Sequence, residues 1–169
     1  MITTVTPRML VAGIGNIFCG DDGFGSEVAR RLAGRPLPDS VRVVDYGIRG
    51  MHLAFDLLDG YDALVIVDAM PAGTEPGELT VLEVGPDDLG SGAFDAHAMS
   101  PVAVLASLGV LGGELPRTVV VGCQPLDVGE GIGLTPAVSA AVDAAVVAVQ
   151  RLVDDLLRQP AGVTSGREV

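Results

Sequence analysis

Four aspartates fall where an apolar run gives way to a turn. Asp21 and Asp22 follow the run RMLVAGIG (8–15) through a glycine-containing stretch, Asp45 ends VRVVDYG (41–47), and Asp68 ends DALVIVDAM (62–70). Continuous apolar runs of this kind read as strands buried on both faces of a parallel sheet, and in such sheets ligands bind in the crevice beyond the strands' carboxyl ends. Two carboxylates and an imidazole there would form a divalent-metal site with open positions, because catalytic centres use about three protein ligands and leave room for a substrate. Asp22, Asp68 and His97 fit that description, His97 lying in a long polar stretch (85–99) rich in glycine and aspartate. The other histidine, His52, falls within an amphipathic helical segment and reads as an ordinary packed or partly exposed side chain. Asp45 and Asp68, each taken alone, have an equally good reading as turn formers or caps.

Other chemistries fit less well. Gly13 and Gly15 begin like a dinucleotide fingerprint and Asp45 stands where a ribose-binding acid would be, but position 18 is Phe instead of the third glycine. Asp21 and Asp22 would also set two negative charges where a pyrophosphate must approach a helix N-terminus. Cys19 is a tempting nucleophile in the same loop. No GxSxG elbow is present, however, and a free cysteine is usually a small hydrophobe. Asn16 is better read as holding its own loop than as a substrate donor. All ten cations are Arg; without Lys, Schiff-base chemistry and the P-loop lysine are excluded.

The elements that must position these residues alternate along the chain. A strand at 8–15 leads into a helix expected from Asp22 to Leu32, with Arg30 and Arg31 in its last turn. A strand at 41–47, a helix at 51–60 closed by Gly60 and a strand at 62–70 follow. The βαβαβ order implies a parallel sheet. LTVLEV (79–84) is reached so quickly from the preceding strand that it reads as an antiparallel edge. Ser100-Pro101 and Thr135-Pro136 carry the cap-then-proline signature of helix starts. The first opens a helix to about Val110. The second opens a long one whose Val138, Val142, Ala145, Val149, Leu152, Val153 and Leu156 line one face, and RTVVVGC (117–123) between them is the last strand. The expected fold is α/β: a three-layer α/β/α sandwich with a mostly parallel sheet of about five strands and one antiparallel edge strand. Residues 1–158 form one domain and 159–169 a flexible tail.

Composition narrows the partners. The chain has 169 residues, 49% hydrophobic and 19% charged, enough for one core and too few for two. With 10 Lys+Arg against 22 Asp+Glu the formal charge is −12. No basic patch is available to neutralise phosphates, so a nucleic-acid partner is excluded; the acidic surface serves solubility and favours a basic protein surface. No stretch reads as the roughly eighteen apolar residues of a membrane span, and the N-terminus lacks a signal-peptide pattern, so no membrane insertion and a cytoplasmic location are expected. Cys19 and Cys123 are expected as free thiols.

The string GIGNIFCGDDGFG (13–25) closely resembles the N-terminal signature of the hydrogenase maturation proteases. VVDYGIRGMHLAFDLL (43–58), DALVIVDAM (62–70), a histidine in the following long loop and GIGLTPAV (131–138) appear in the order of that family's later landmarks, to about Leu157. The resemblance implies an aspartic-type endopeptidase that trims the C-terminus of the nickel–iron hydrogenase large-subunit precursor once nickel is inserted. The family's metal-contacting positions carry over to Asp22, Asp68 and His97, the first position holding Glu or Asp among relatives. Nickel would come with the substrate, and other divalent ions are expected to substitute in the isolated protein. The metal would polarise the scissile carbonyl or activate a water with an aspartate assisting proton transfer; alternatively the aspartates act as acid and base and the metal serves recognition alone. A monomer or weak dimer is expected. The competing readings are a nickel-sensing or delivery module without peptidase activity and a flavodoxin-like nucleotide-binding domain.

Overall fold

A computed structural model describes residues 5–89 and 101–159; His97, the cap position Ser100 and the expected tail from 160 onward lie outside the described residues. The strands are β1 (Met9–Ile14), β2 (Val41–Gly47), β3 (Ala63–Ala69), β4 (Leu79–Val84) and β5 (Arg117–Cys123). They form one sheet in the order β2-β1-β3-β5-β4, with β4 antiparallel to β5 at the edge and the other pairings parallel. The helices are α1 (Phe24–Ala33), α2 (Gly50–Leu57), α3 (Pro101–Val110) and α4 (Pro136–Arg158).

The two-residue period of the strands sorts the core into two layers. Met9, Val11, Val65 and Val67 pack with Val28 and Leu32 of α1 and Val142 and Val149 of α4. Leu10, Ala12, Leu64 and Ile66 face the other way, against Leu53 and Leu57 of α2 and Leu105 and Leu108 of α3. Each fully buried Val or Leu contributes roughly 1.5–3 kcal/mol. The Glu27–Arg31–Asp143 ion pairs that also join α1 to α4 are partly exposed, and such surface pairs contribute about 0–1 kcal/mol, so the apolar layers hold the sandwich together. The chain leaves β1 for β2 on one side and then crosses to β3 on the other. The crevice at the carboxyl ends of β1 and β3 is therefore a topological switch point, where open α/β sheets bind ligands.

Three expectations need correction. The helix does not begin at Asp22: a 3-10 turn (Gly20–Gly23) precedes α1, because the carboxylates of Asp21 and Asp22 each accept bonds from outside it. Thr135 does stand at the N-cap of α4 with Pro136 after it, but it makes no side-chain cap bond; its hydroxyl goes to Asp21. Finally, α4 is long and apolar enough to cross a membrane by length and composition, which the sequence reading had not expected of any segment. Its exposed Ala137, Ala140 and Ala144 extend the apolar composition around the helix, while the stripe of Val138, Val142, Val146 and Val149 is packed into the domain.

Candidate active site

Asp68 is the penultimate residue of β3. It shares strand parity with Leu64 and Ile66, so its side chain leans to the α2–α3 face. Asp22 reaches the same place from the 3-10 turn after β1. Asn16 directs it there by donating its backbone N–H to Asp22 Oδ2 at 2.9 Å, while Asn16 Oδ1 accepts the Phe18 N–H at 2.9 Å and closes the loop, as its sequence context suggested. Gly15 lies between the two acids, with a φ of +144°. A Cβ there would stand 1.8 Å from the Asp22 carbonyl oxygen and 3.8 Å from Asp68 Oδ1. Glycine is thus needed for the backbone conformation and for the close approach alike.

The two acids line a cleft of about 300 Å³ with Asn16, Met51 of α2 and Val104 and Ser107 of α3. Burial, and next the neighbouring charge of Asp22, push the Asp68 carboxyl well above its usual range, against a weaker pull from the Ala69 N–H. A carboxyl raised in this way is suited to hold a proton within the cleft. A divalent cation between the two acids would relieve the same repulsion, so the donor set fits a metal. Among the described residues no group of three His, Cys, Asp or Glu side chains could hold a metal ion. His97 precedes Pro101, the first residue of α3, by four positions, and Val104 of that helix lines the cleft.

The other sequence candidates are placed elsewhere. Asp45 is exposed and accepts the Ser26 hydroxyl at 2.7 Å and the Gly47 N–H at 3.0 Å, the turn-forming role. His52 is exposed on α2. Cys19 and Cys123 are free thiols, and burial raises the Cys123 thiol to about 11, which leaves it a packing residue.

A model of the HycI hydrogenase maturation protease family matches residues 26–152. The chain belongs to the hydrogenase maturation proteases. The hydrogenase expression/formation protein HupD of Rhizobium leguminosarum bv. viciae is 33% identical over 150 residues, covering 86% of this chain and 74% of that protein. The hydrogenase 2 maturation protease of Escherichia coli K12 is 32% identical over 142 residues, covering 82% of this chain and 86% of the relative. In structure, the hydrogenase-maturating endopeptidase HybD from E. coli superposes with a TM-score of 0.76 at 31% identity, covering 88% of this chain and 93% of that one.

In this protease Asp21, one of the four candidate acids, has an anchoring role that its sequence context did not reveal. Asp21 is fully buried. Its carboxylate accepts the backbone N–H groups of Leu126 and Asp127 at 2.9 and 3.0 Å and that of Thr135 at 2.7 Å, besides the Thr135 hydroxyl. Burial alone would raise this carboxyl, but the donors of Asp127, Thr135 and Leu126 outweigh it and hold the group below its ordinary value. Asp21 thereby pins the turn that presents Asp22. Nothing in the adjacent pair Asp21-Asp22 distinguishes the anchored acid from the presented one; their partners do.

Proposed function

We propose that this protease removes a C-terminal extension from the nickel-loaded precursor of a nickel–iron hydrogenase large subunit, meeting the substrate's metal through Asp22, Asp68 and His97. The observation that carries this reading is the pairing of Asp22 in one open cleft with a buried Asp68, whose carboxyl burial and the Asp22 charge push well above the ordinary range, a charge arrangement that a cation brought by the substrate would complete. Peptide hydrolysis adds water across the C–N bond: one proton leaves the water and one joins the departing amine. With the substrate's cation on the pair Asp68 gives up its proton, and the more exposed Asp22 is suited to accept a proton from water and pass it to the departing amine. The substrate's metal supplies charge stabilisation at the scissile carbonyl. A nucleotide ligand fits the same crevice poorly, because two carboxylates face the position its phosphates would take.

The test is incubation with a large-subunit precursor, with and without inserted nickel, followed by intact-mass analysis. Wild-type protein is expected to release a C-terminal peptide from the nickel-loaded precursor alone, and Asp68→Asn to release none. Equal trimming of nickel-free precursor, or trimming by Asp68→Asn at the wild-type rate, overturns the reading.

A further inference from the structure

The two ends of the sheet differ in charge. Arg8, Arg42 and Arg117 sit at the amino ends of β1, β2 and β5, Arg30, Arg31 and Arg35 in or just beyond the last turn of α1, and Arg151 and Arg158 in the lower half of α4. Among the described residues the carboxyl end of the sheet has one arginine, Arg49. It is spent on its own turn, donating to the carbonyls of Asp45 and Tyr46 at 3.0 and 3.3 Å. The acids Asp22, Asp127 and Glu130 gather at that end, in the loops after β1 and β5, with Asp68 next to the last residue of β3. A cationic surface approaching this protein is therefore drawn to the end that holds the cleft.

The same end carries large apolar side chains in water. Phe18 is 62% exposed, Leu126 62% and Ile132 80%. They do not belong to loose loops. The stretches 17–21 and 126–132 are joined by Gly131 N–H to the Phe18 carbonyl, Gly20 N–H to the Gly131 carbonyl and Asp21 N–H to the Asp127 carbonyl, each at 2.9 Å. The buried Asp21 carboxylate closes the pair from beneath. A braced backbone thus holds apolar side chains outward, and exposed apolar clusters rimmed by charge mark interaction sites. The platform adjoins the cleft along the chain: Asn16, which lines the cleft and orients Asp22, immediately precedes Ile17 and Phe18.

We infer that Phe18, Leu126 and Ile132, with Glu130 beside them, dock an apolar segment of the precursor polypeptide flanked by arginine or lysine side chains. This rests on the substrate reading above. Apolar contact supplies the affinity, the acidic rim selects and steers the basic flanks, and preorganised loops spare the ordering that a flexible surface would require on binding.

Binding and cleavage are read separately to test it. Affinity for nickel-free precursor, which is expected to bind without being trimmed, is measured for the wild type as parent and for the pair Phe18→Ser/Ile132→Ser, for Glu130→Arg, and for Val110→Ser, an exposed site at the far end of α3. The pair is expected to weaken binding by about ten-fold or more and Val110→Ser to leave it unchanged. Glu130→Arg is expected to weaken binding and to flatten its decline with salt. With nickel-loaded precursor the pair should raise the KM of trimming while leaving kcat within about two-fold. An affinity for the pair within about two-fold of the parent, an equal loss in Val110→Ser, or an unaltered salt dependence in Glu130→Arg overturns the docking surface while trimming by the wild type stands. A wild-type protein that neither binds nor trims the precursor overturns the substrate reading and the platform with it.

Discussion

The Asp21 carboxylate receives the Thr135 amide at 2.7 Å and the hydroxyl of the same residue at 2.8 Å, so one buried acid joins the turn behind Asp22 to the first turn of α4. Its donors come from residues more than a hundred positions away in the chain, as the separations of 105 and 114 show. Removing the acceptor leaves buried N–H groups without partners. Asp21→Ala is therefore expected to destabilise the fold by about 3 kcal/mol, and Thr135→Val, which removes the hydroxyl alone, by about 1 kcal/mol. Urea unfolding checks both. Equal midpoints for Asp21→Ala and wild type would show that the acid pins nothing.

The same acid sets the low-pH limb of stability. Its folded pKa lies below the ordinary 3.8, so the unfolded chain binds its proton first as the pH falls. The contribution is complete above the unfolded value and is lost as the pH drops through the folded one. Asp21→Asn should be less stable than wild type at neutral pH, and the gap should close progressively below about pH 4. A gap constant across that range, followed by circular dichroism during urea titration, would contradict the assignment.

Asp68 works in the opposite sense. Burial and the charge of Asp22 raise its folded pKa well above 3.8, so the folded protein binds the extra proton and stability falls as the pH rises from the unfolded value through the folded one. Replacing it with a neutral isostere removes that penalty. Asp68→Asn is expected to raise the metal-free Tm at about pH 8 while abolishing precursor trimming, the trade expected where a site holds charge at the expense of stability. A lowered Tm with trimming retained would sink this reading on both counts.

How much of this was legible in the sequence follows from where each determinant lies. VRVVDYG, LTVLEV and RTVVVGC became β2, β4 and β5 at the expected limits, because β-branched runs bounded by turn residues carry their own signal. The antiparallel edge followed from the short connection before β4. Asp22 and Asp68 were readable as acids beyond strand ends, and the structure brings them to one cleft. The division of labour between Asp21 and Asp22 was not readable, because it depends on loop amides at 126, 127 and 135 that only the closed sheet brings near. Thr135-Pro136 marks the correct helix start for the usual reason, yet its hydroxyl serves another element. The platform of Phe18, Leu126 and Ile132 was equally hidden, since single apolar residues in polar loops carry no period.

Gly25 tests how closely α1 must approach the sheet. A Cβ at this position would stand 2.2 Å from the carbonyl oxygens of both Ile14 and Val67, backbone atoms of β1 and β3 that cannot give way singly. Gly25→Ala must therefore push the first turn of α1, and with it the 3-10 turn bearing Asp22, away from the crevice. A loss of about 3 kcal/mol is expected, together with a drop in trimming greater than that of an equally destabilised core variant such as Leu156→Ala. Parity between the two variants would place the effect in stability alone.

Divalent-cation binding by the isolated protein reports on the pair directly. Because Asp68 retains its proton above the ordinary carboxylate range, a cation that takes both carboxylates must displace that proton. Nickel or zinc is thus expected to raise the Tm, with an effect that grows as the pH rises and Asp68 ionises unaided. Titration calorimetry in two buffers of different ionisation enthalpy should register proton release near the lower end of that range and progressively less above it. His97→Gln should weaken the binding, and Asp68→Asn should remove both the proton release and most of the Tm shift. An undiminished shift in Asp68→Asn would move the cation to some other group of acids and leave the Asp22–Asp68 pair to act as proton donor and acceptor without it.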